Sequence, residues 1–312
     1  MRIMFMGTPE ISMTCLRKLI EDGHEVVAVV TREDKPRGRG NVMTHTPVKV
    51  LAEENNIPTF TPKTLKDDAF MSLLSEYNPE LIAVVAYGKI LPKSVLDFPK
   101  YGCVNLHVSL LPAYRGAAPM QRAIMNGESR TGVTVMYMDE GLDTGDIITA
   151  AEFEISESDD FEAIHDRSAE IGAALLSKTV YEIAEGKATR TPQDGSKASY
   201  AEKIEKEDCK IDFTLDGRTC QCRIRGVTPI PGAFCFQNGK MLKITKCSVE
   251  RINGLRTPGE VVEISGVGDG FITVACGTDA IKITKLKPEG KGVMSAGDYV
   301  RGRKIALGEI LE

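Results

Sequence analysis

Residues 2–31 read RIMFMGTPEISMTCLRKLIEDGHEVVAVVT. Two short apolar runs, RIMFMG and EVVAVVT, flank a stretch whose apolar residues recur at helical spacing. A strand, a helix and a second strand in this order predict a βαβ unit with parallel strands. The second run is apolar on both faces, as a strand buried between two helix layers must be.

The same alternation continues through the first half of the chain. Apolar runs at 81–88 and 103–112 predict further strands, as do the runs at 131–139 and 146–155. Residues 160–186 have the apolar spacing of one long helix. We therefore expect an α/β domain with a doubly wound, mainly parallel sheet.

A polar segment rich in Pro, Gly, Ser and charged residues follows the long helix and is typical of a linker. Beyond it, short alternating runs separated by Gly-containing turns predict a small all-β barrel of the oligonucleotide-binding (OB) type. GVGDGF at 266–271 joins two of these runs and is interpreted as a hairpin turn. The predicted organisation is a catalytic domain at 1–189, a linker at 190–208 and a β-barrel domain at 209–312.

The charge is unevenly distributed along the chain. The net charge is −5, but the residues from Cys209 onward carry 16 Lys and Arg against 11 Asp and Glu, a net of +5, which leaves residues 1–208 at −10. A basic smaller part favours contact with a polyanion, and a charge fluctuation on a solvated surface is the alternative.

Composition favours a cytoplasmic protein. Hydrophobic residues make up 42% and charged residues 27% of the chain, without an apolar run long enough for a bilayer, and the start MRIMFMGTPE leaves no room for a signal peptide. Most of the eight cysteines are expected to be small buried hydrophobes. Cys220 and Cys222 have no further zinc ligands nearby in sequence, so we expect no metal.

Three polar residues stand where chemistry is expected. Asn105 and His107 alternate with apolar residues, which places both on one face of a strand near its carboxyl end, where ligands of open α/β sheets collect. Asp143 follows on a glycine-flanked loop that could reach the same crevice. A core hydrogen bond for the first pair and a turn role for Asp143 remain alternatives. The first βα turn, Gly7-Thr8-Pro9-Glu10, lacks the GxGxxG fingerprint. A conventional NAD-dependent enzyme is therefore disfavoured but not excluded.

A set of motifs gives the chain a strong resemblance to a known family. The motifs are MGTPE (6–10), DKPRGRG (34–40), VVAYGKILP (84–92), NLHVSLLPAYRGAAP (105–119), TGVTVMYMDEGLDTGD (131–146) and SYAEKI (199–204). Together with the barrel region, they resemble the methionyl-tRNA formyltransferases over essentially the full length. The resemblance implies transfer of a formyl group from 10-formyltetrahydrofolate to the α-amino group of methionyl initiator tRNA for translation initiation. It implies no membrane association and no obligatory protein partner.

The resemblance also assigns site residues. Asn105, His107 and Asp143 match the catalytic positions of the family. The residues matching the folate pocket, whose backbone groups are expected to read the pterin edge, are Val84, Ala86, Tyr87, Gly88, Ser109, Leu110, Leu111, Pro112, Asp139 and Gly141. The residues expected to contact tRNA are Lys35, Arg37 and Arg39 in the first domain and Arg218, Arg223 and Arg225 in the second, with Lys240, Lys243 and Lys246 as further phosphate-contact candidates.

Three positions depart from the family pattern. Val108 stands where glycine is usual, Asn41 replaces a lysine, and Thr228-Pro229-Ile230-Pro231 replaces a motif that usually contains Asn and Trp. We expect effects on the backbone beside His107, on the charge of the tRNA loop and on a barrel contact, respectively.

Asn105, His107 and Asp143, here called the trio, suit acyl transfer to an amine. Attack on the formyl carbonyl develops negative charge on oxygen, to which Asn105 and His107 can donate hydrogen bonds, while Asp143 can orient His107 or a water that accepts the amine proton. Two other enzyme activities use the same trio: formylation of an amino sugar nucleotide and hydrolysis that releases formate. A third interpretation is an RNA-binding regulator with a degenerate enzyme domain. The basic second domain favours tRNA over the first two, and the intact trio favours an active enzyme over the third.

Overall fold

The computed structural model describes residues 1–37, 42–254, 256–302 and 304–312. Contacts within the chain form two compact units. Unit 1 comprises residues 1–116, 130–153 and 165–201, and unit 2 comprises residues 117–129, 154–164 and 202–312. Two short segments of the first half therefore group with the C-terminal part, which a linear reading of composition does not anticipate.

The first 201 residues contain eleven strands and six helices among the described residues. The strands are β1 (Arg2–Gly7), β2 (Glu25–Val30), β3 (Lys35–Arg37), β4 (Val42–Thr44), β5 (Thr59–Phe60), β6 (Leu81–Val85), β7 (Cys103–His107), β8 (Arg115–Gly116), β9 (Arg130–Tyr137), β10 (Ile147–Glu154) and β11 (Tyr200–Ala201). The helices are α1 (Glu10–Glu21), α2 (Pro47–Glu54), α3 (Asp68–Tyr77), α4 (Lys93–Leu96), α5 (Pro119–Met125) and α6 (Phe161–Ala184).

The central sheet of unit 1 has seven strands in the order β10-β9-β7-β6-β1-β2-β5. The strands β5, β2, β1, β6 and β7 pair in parallel, and β7 pairs with β9 in antiparallel register. The prediction of a mainly parallel sheet is therefore confirmed. Because the parallel strands share one direction, their carboxyl ends lie at one edge of the sheet, where β7 ends at His107.

Both faces of this sheet are covered by helices, as a doubly wound fold requires. Side chains of α1, α2 and α6 pack on one face in a core that includes Val104 and Leu106. Side chains of α3 and α4 pack on the other face, in a core that includes Cys103. The helix α6 lies very close to β7. A Cβ added at Gly172 would stand only 2.7 Å from Leu106 Cδ2, so only glycine fits there without a shift. This close packing fixes the position of the strand that carries Asn105 and His107.

Unit 2 is built on an antiparallel sheet. Its strands are β12 (Ala233–Gln237), β13 (Lys240–Glu250), β14 (Val261–Ser265), β15 (Phe271–Ala275), β16 (Ala280–Pro288) and β17 (Met294–Ser295), in the order β12-β13-β16-β15-β14 with β17 beside β16. The strands β14 and β15 pair in antiparallel register across the loop at 266–270, as the hairpin prediction required.

The all-β prediction missed two helices of unit 2, α7 (Gly217–Gly226) and α8 (Ala296–Arg301). Asp216 caps α7 by accepting a hydrogen bond from Thr219 N, and Ser295 caps α8 through Asp298 N. The buried residues of α7 include only one large aliphatic side chain, Ile224, beside two cysteines and the polar Gln221 and Arg225, which hides the helical periodicity in the sequence. Seven of the eight cysteines of the chain are buried, as expected of small hydrophobes.

Candidate active site

The strand β7 presents Asn105 and His107 on the same face, as the alternation predicted. Val104 and Leu106, which alternate with them, point into the core beneath α1 and α6. Asn105 pairs with Val84 of β6 and Met136 of β9, so it lies between two neighbouring strands of the sheet. The polar pair is thereby held rigidly at the carboxyl edge.

The imidazole of His107 lies between two oxygen atoms. Its Nε2 is 2.9 Å from the backbone oxygen of Tyr114, to which it donates a hydrogen bond, and its Nδ1 is 3.6 Å from Asp143 Oδ2. The side chain is only 6% exposed. Because a neutral imidazole carries one N–H, only the protonated ring presents a donor to both oxygens. The geometry makes His107 an oriented donor beside a carboxylate.

The loop that follows β7 is held in shape by buried hydrogen bonds. Thr134 of β9 donates to Ser109 O at 2.7 Å and accepts from Leu111 N at 3.2 Å. The hydroxyl of Ser109 donates to Ala113 O at 2.6 Å. Tyr114, whose carbonyl accepts from His107, is thus positioned by a loop with little freedom. Thr134 was missed by the sequence analysis, although it lies opposite His107 in the register of β7 and β9.

Asp143 reaches this loop from the segment between β9 and β10. Its Oδ2 accepts a hydrogen bond from Gly116 N at 2.8 Å. At the start of the same segment, Asp139 Oδ1 accepts from Gly141 N at 2.9 Å and from the Thr144 hydroxyl at 2.6 Å, which closes the turn. The structure therefore brings together Asp143 and His107, which lie far apart in the sequence.

Asn105 is half-buried, and its amide forms no hydrogen bond with any other described residue. An amide that is fixed by its strand and has no partner within the chain is available to donate to a bound oxygen. Asn105 and His107 lie two residues apart on the same face of the strand, so both can serve one carbonyl group.

The residues matching the folate pocket fall into two groups. The side chains of Val84, Tyr87, Ser109 and Leu111 are buried, so only their backbone groups could face a ligand. The remaining members are half-buried or exposed: Ala86, Gly88, Leu110, Pro112, Asp139 and Gly141. That backbone groups of these segments bind the folate stays a prediction.

The segment after β6 is held by Arg32 and contains the buried Tyr87. Arg32 donates to the carbonyl of Tyr87 at 3.1 Å and also to that of Gly88, which fixes the loop. The Tyr87 hydroxyl is buried without a hydrogen-bond partner among the described residues, and burial raises the pKa of Tyr87 to about 12. Nearby in sequence, Ile90 is 88% exposed, and Leu142 of the Asp143 segment is also exposed. These apolar side chains were missed by the sequence analysis.

The residues expected to contact tRNA are placed differently from one another. Lys35 is exposed on β3, whereas Arg39 and the side chain of Arg37 lie outside the described residues. In unit 2, Arg218 is exposed and forms an ion pair with Glu157 at 3.0 Å, and Arg223 is half-buried.

The prediction for Arg225 needs correction. This side chain is only 7% exposed, and its Nη1 donates to the carbonyls of Ser156 and Asp159, each at 2.8 Å. The guanidinium therefore joins α7 to the backbone of the 156–159 segment within unit 2 and is not available to a phosphate. Its position on the inner face of α7 is the physical reason.

A face of lysines on unit 2 extends beyond the predicted residues. Lys243 lies directly opposite Lys287, and Lys246 lies opposite Lys285, in the pairing of β13 with β16. In the described part of the chain, none of the four forms an ion pair with an acidic side chain, and Lys243 donates to Pro231 O at 2.6 Å. We call Lys243, Lys246, Lys285 and Lys287 the lysine face. The alternation in IKITKLKP could have identified its second half.

The described residues contain neither a candidate metal site nor a candidate membrane span. No group of three or more His, Cys, Asp or Glu among them is arranged to hold a metal ion. No helix among them has both the length and the apolar character needed to cross a bilayer.

Two family profiles match the chain. The profile described as "Formyl transferase" matches residues 1–180, and the profile described as "Formyl transferase, C-terminal domain" matches residues 203–304.

Curated relatives match over the full length. The methionyl-tRNA formyltransferase of Citrifermentans bemidjiense is 45% identical over 311 residues, which cover 100% of this chain and 96% of the relative. The methionyl-tRNA formyltransferase of Caldanaerobacter subterraneus subsp. tengcongensis is 44% identical over 313 residues, with 100% of both chains covered.

Solved structures share the fold at lower identity. An N-formyltransferase from Helicobacter canadensis, in complex with folinic acid and dTDP-3-aminofucose, superposes with a TM-score of 0.64 at 18% identity and covers 90% of this chain and 98% of its own. A methionyl-tRNA formyltransferase from Clostridium thermocellum superposes with a TM-score of 0.55 at 19% identity, covering 80% of this chain and 93% of its own.

Proposed function

Since the chain belongs to the formyl transferase family, we propose that it transfers the formyl group of 10-formyltetrahydrofolate to the α-amino group of methionyl initiator tRNA. The product, formylmethionyl-tRNA, serves translation initiation. Relatives of this name match the chain end to end at 45% and 44% identity. One observation carries the proposal. His107 and Asp143 converge on the strand end that also holds Asn105, whose side-chain amide has no hydrogen-bond partner within the described chain.

Asn105 and His107 are proposed as the groups that stabilise the transition state. The amine attacks the formyl carbon directly, and negative charge develops on the formyl oxygen. The free amide of Asn105 donates to that oxygen, and His107 is proposed to add a second hydrogen bond. Donors fixed before reaction cost no reorganisation, and removing one such donor lowers kcat by about 10²–10³-fold in other enzymes.

Asp143 is proposed to keep His107 oriented. The carboxylate lies 3.6 Å from Nδ1 and is itself fixed by Gly116 N. The attacking amine must also lose a proton, and a model α-amine with a pKa of about 7.7–8.0 is already partly neutral near neutral pH. A base of modest strength is therefore sufficient, and the Asp143 carboxylate, directly or through a water, provides one.

The folate donor is proposed to lie along the segments 84–88, 109–112 and 139–143. The exposed backbone of Ala86 and Gly88 offers hydrogen-bonding groups, and the exposed side chains of Ile90 and Leu142 offer apolar surface for a ring. When bound, this cosubstrate supplies the activated formyl group, and the chain supplies its orientation.

The lysine face is proposed to contact the phosphates of the tRNA, together with Lys35, Arg218 and Arg223. Like charges placed directly opposite one another destabilise a sheet, so the arrangement of Lys243, Lys246, Lys285 and Lys287 carries a cost in the free protein. A polyanion neutralises these charges and releases its counterions, which offsets that cost. Arg37 and Arg39 remain predicted contacts on the resemblance alone.

We propose a catalytic domain at 1–189 and a tRNA-binding domain at 209–312. Of the predicted linker at 190–208, the residues up to 201 group with unit 1 and the remainder with unit 2. The grouping of 117–129 and 154–164 with unit 2 supports a second domain whose framework extends into the first half of the sequence. A cytoplasmic location remains a prediction from the composition, and the absence of an obligatory protein partner remains one from the resemblance.

An acceptor comparison tests the proposed function. The protein is incubated with 10-formyltetrahydrofolate and with either methionyl initiator tRNA or an amino sugar nucleotide, and a third reaction has no acceptor. We expect formylation of the aminoacyl-tRNA alone. Formylation of the sugar nucleotide, release of formate without an acceptor, or tight tRNA binding without formylation would each contradict the proposal in favour of one of the three alternatives.

A further inference from the structure

The backbone of Asp143 adopts a left-handed conformation. Its φ angle is +54°, in a region that aspartate enters more readily than most residues with a side chain. Two residues on, a Cβ added at Gly145 would stand 1.9 Å from Tyr137 O, so this turn lies tightly against the end of β9. The bonds of Asp139 close the turn from within, and contacts outside the turn add to them in directing the Asp143 carboxylate towards His107.

The amide of Gln193 supplies those contacts. Its Nε2 donates to Asp143 O at 2.9 Å and to Gly145 O at 2.8 Å, so that one NH₂ group holds the turn on both sides of Thr144. Its Oε1 accepts from Arg115 Nε at 3.2 Å and from Arg115 Nη2 at 2.7 Å. One side chain thus connects the Asp143 turn to the residue that precedes Gly116.

Arg115 is buried, and its neighbour Gly116 donates to the Asp143 carboxylate. Asp143 is therefore held at two points. Gln193 donates to its backbone carbonyl, and Gly116 N donates to its side-chain carboxylate. A glutamine fits this role because its amide carries two donors and two acceptor lone pairs.

The segment that carries Gln193 is itself attached to the site. Before it, Thr191 forms a β-bridge with Ile147. After it, Ser199 Oγ accepts from Tyr114 N at 2.9 Å, Ser199 O accepts from Arg115 N at 2.8 Å, and β11 pairs with β8. The polar stretch that composition marks as a linker is therefore, at 191–201, a strap across the two loops that hold His107 and Asp143.

We infer that Gln193 is a positioning residue for formyl transfer, which fixes the Asp143 turn so that the carboxylate faces His107. The inference rests on the proposed function. Gln193 acts through Asp143 and Arg115, and its contribution is the preorganisation of the carboxylate. Misplacement of a reacting group by about 1 Å can cost on the order of 10²-fold in rate, so the effect on kcat is expected to be large for a residue of this kind.

Gln193→Met and Gln193→Glu test the inference. The first keeps the size of the side chain and removes its hydrogen bonds to Asp143, Gly145 and Arg115. The second keeps an acceptor for Arg115 but faces the carbonyls of Asp143 and Gly145 with a carboxylate. We expect both variants to lower kcat by about 10- to 100-fold, with KM for folate and for tRNA changed less than twofold. Lys197→Ala, in the same strap but exposed to solvent, is the matched control and should keep the wild-type kcat.

A double-mutant cycle separates positioning from a merely structural role. In an Asp143→Ala background, Gln193→Met should cost less than threefold further, because the carboxylate that it positions is gone. The pH profile of kcat for Gln193→Met should shift towards that of Asp143→Ala. All assays are made well below the melting temperature of each variant, so that the amount of folded enzyme is equal.

The outcomes are distinct. Wild-type kcat in both Gln193 variants, or a full 10- to 100-fold loss on top of Asp143→Ala, would overturn the inference. Absence of formylation by the unmodified protein in the same assay would instead overturn the proposed function. If Gln193→Met does not fold, the Gln193→Glu variant and its cycle with Asp143→Ala decide the question alone.

Discussion

Around His107 in unit 1, most polar side chains meet another polar group of the chain, whereas the lysine face of unit 2 meets no acidic side chain among the described residues. The first arrangement fixes its members before any ligand arrives. The second leaves charges directly opposite one another, at a cost that only a partner can remove. The difference separates two tasks: chemistry on a small carbonyl group needs fixed donors, and recognition of a polyanion needs charge that the protein has not neutralised itself.

The largest expected effect concerns the fixed region. Asn105→Ala, His107→Ala and Asp143→Ala should each lower kcat by about 10²–10³-fold, because each removes a donor or the group that orients one. Steady-state kinetics together with thermal melting measure this. Asn253→Ala, on an exposed loop of unit 2, is the control. Wild-type turnover in all three variants would remove the proposed site.

The next effect concerns the one predicted tRNA contact that proved to be internal. Arg225→Leu should destabilise the protein by about 3 kcal/mol, because it removes the charged donor of the Ser156 carbonyl and leaves the buried carbonyl of Asp159 without its partner. Chemical denaturation measures this. Arg218→Ala is the matched control, and its exposed ion pair with Glu157 should be worth no more than about 1 kcal/mol. A raised KM for tRNA in Arg225→Leu with unchanged stability would restore the assignment made from the sequence.

The smallest effect concerns the lysine face, whose loss should weaken tRNA binding but slightly raise the stability of the protein. The double variant Lys246→Ala/Lys285→Ala should raise KM for tRNA several-fold and reduce the slope of log kcat/KM against log salt by about 2, one for each lost phosphate contact. The same variant should be slightly more stable than the unmodified protein, by less than about 1 kcal/mol, because a cross-strand repulsion is removed.

The matched control for the lysine face is Lys178→Ala/Lys187→Ala, which removes two exposed lysines from unit 1. It should leave the salt dependence unchanged. If both double variants reduce the slope of log kcat/KM against log salt equally, the lysine face acts only through net charge. The proposed role of the lysine face in binding tRNA would then be wrong.

Much of the fold was predictable because periodicity is a local property. The alternation in residues 2–31 predicted β1, α1 and β2 in order, and the run at 160–186 predicted α6. The short helices α7 and α8 were missed, because caps and packing stabilise them more than any long apolar pattern does.

The candidate site was predictable in part. The pairing of Asn105 with His107 on one face follows from a period of two along β7. That Asp143 meets His107 followed only from the family resemblance, since nothing in its local sequence fixes where its turn lies. Gln193 was not predicted at all, because the segment around it has the composition of a linker.

The amino-acid sequence by itself determined the order of strands and helices, the faces on which their side chains lie, and the motifs that tie the chain to its family. The tertiary structure alone decided which arginine of α7 is internal, which lysines face one another across β13 and β16, and which glutamine holds the turn of Asp143. The physical reason is that a repeating pattern fixes the direction of a side chain only relative to its own helix or strand. Contacts between segments distant in sequence depend on how those elements pack.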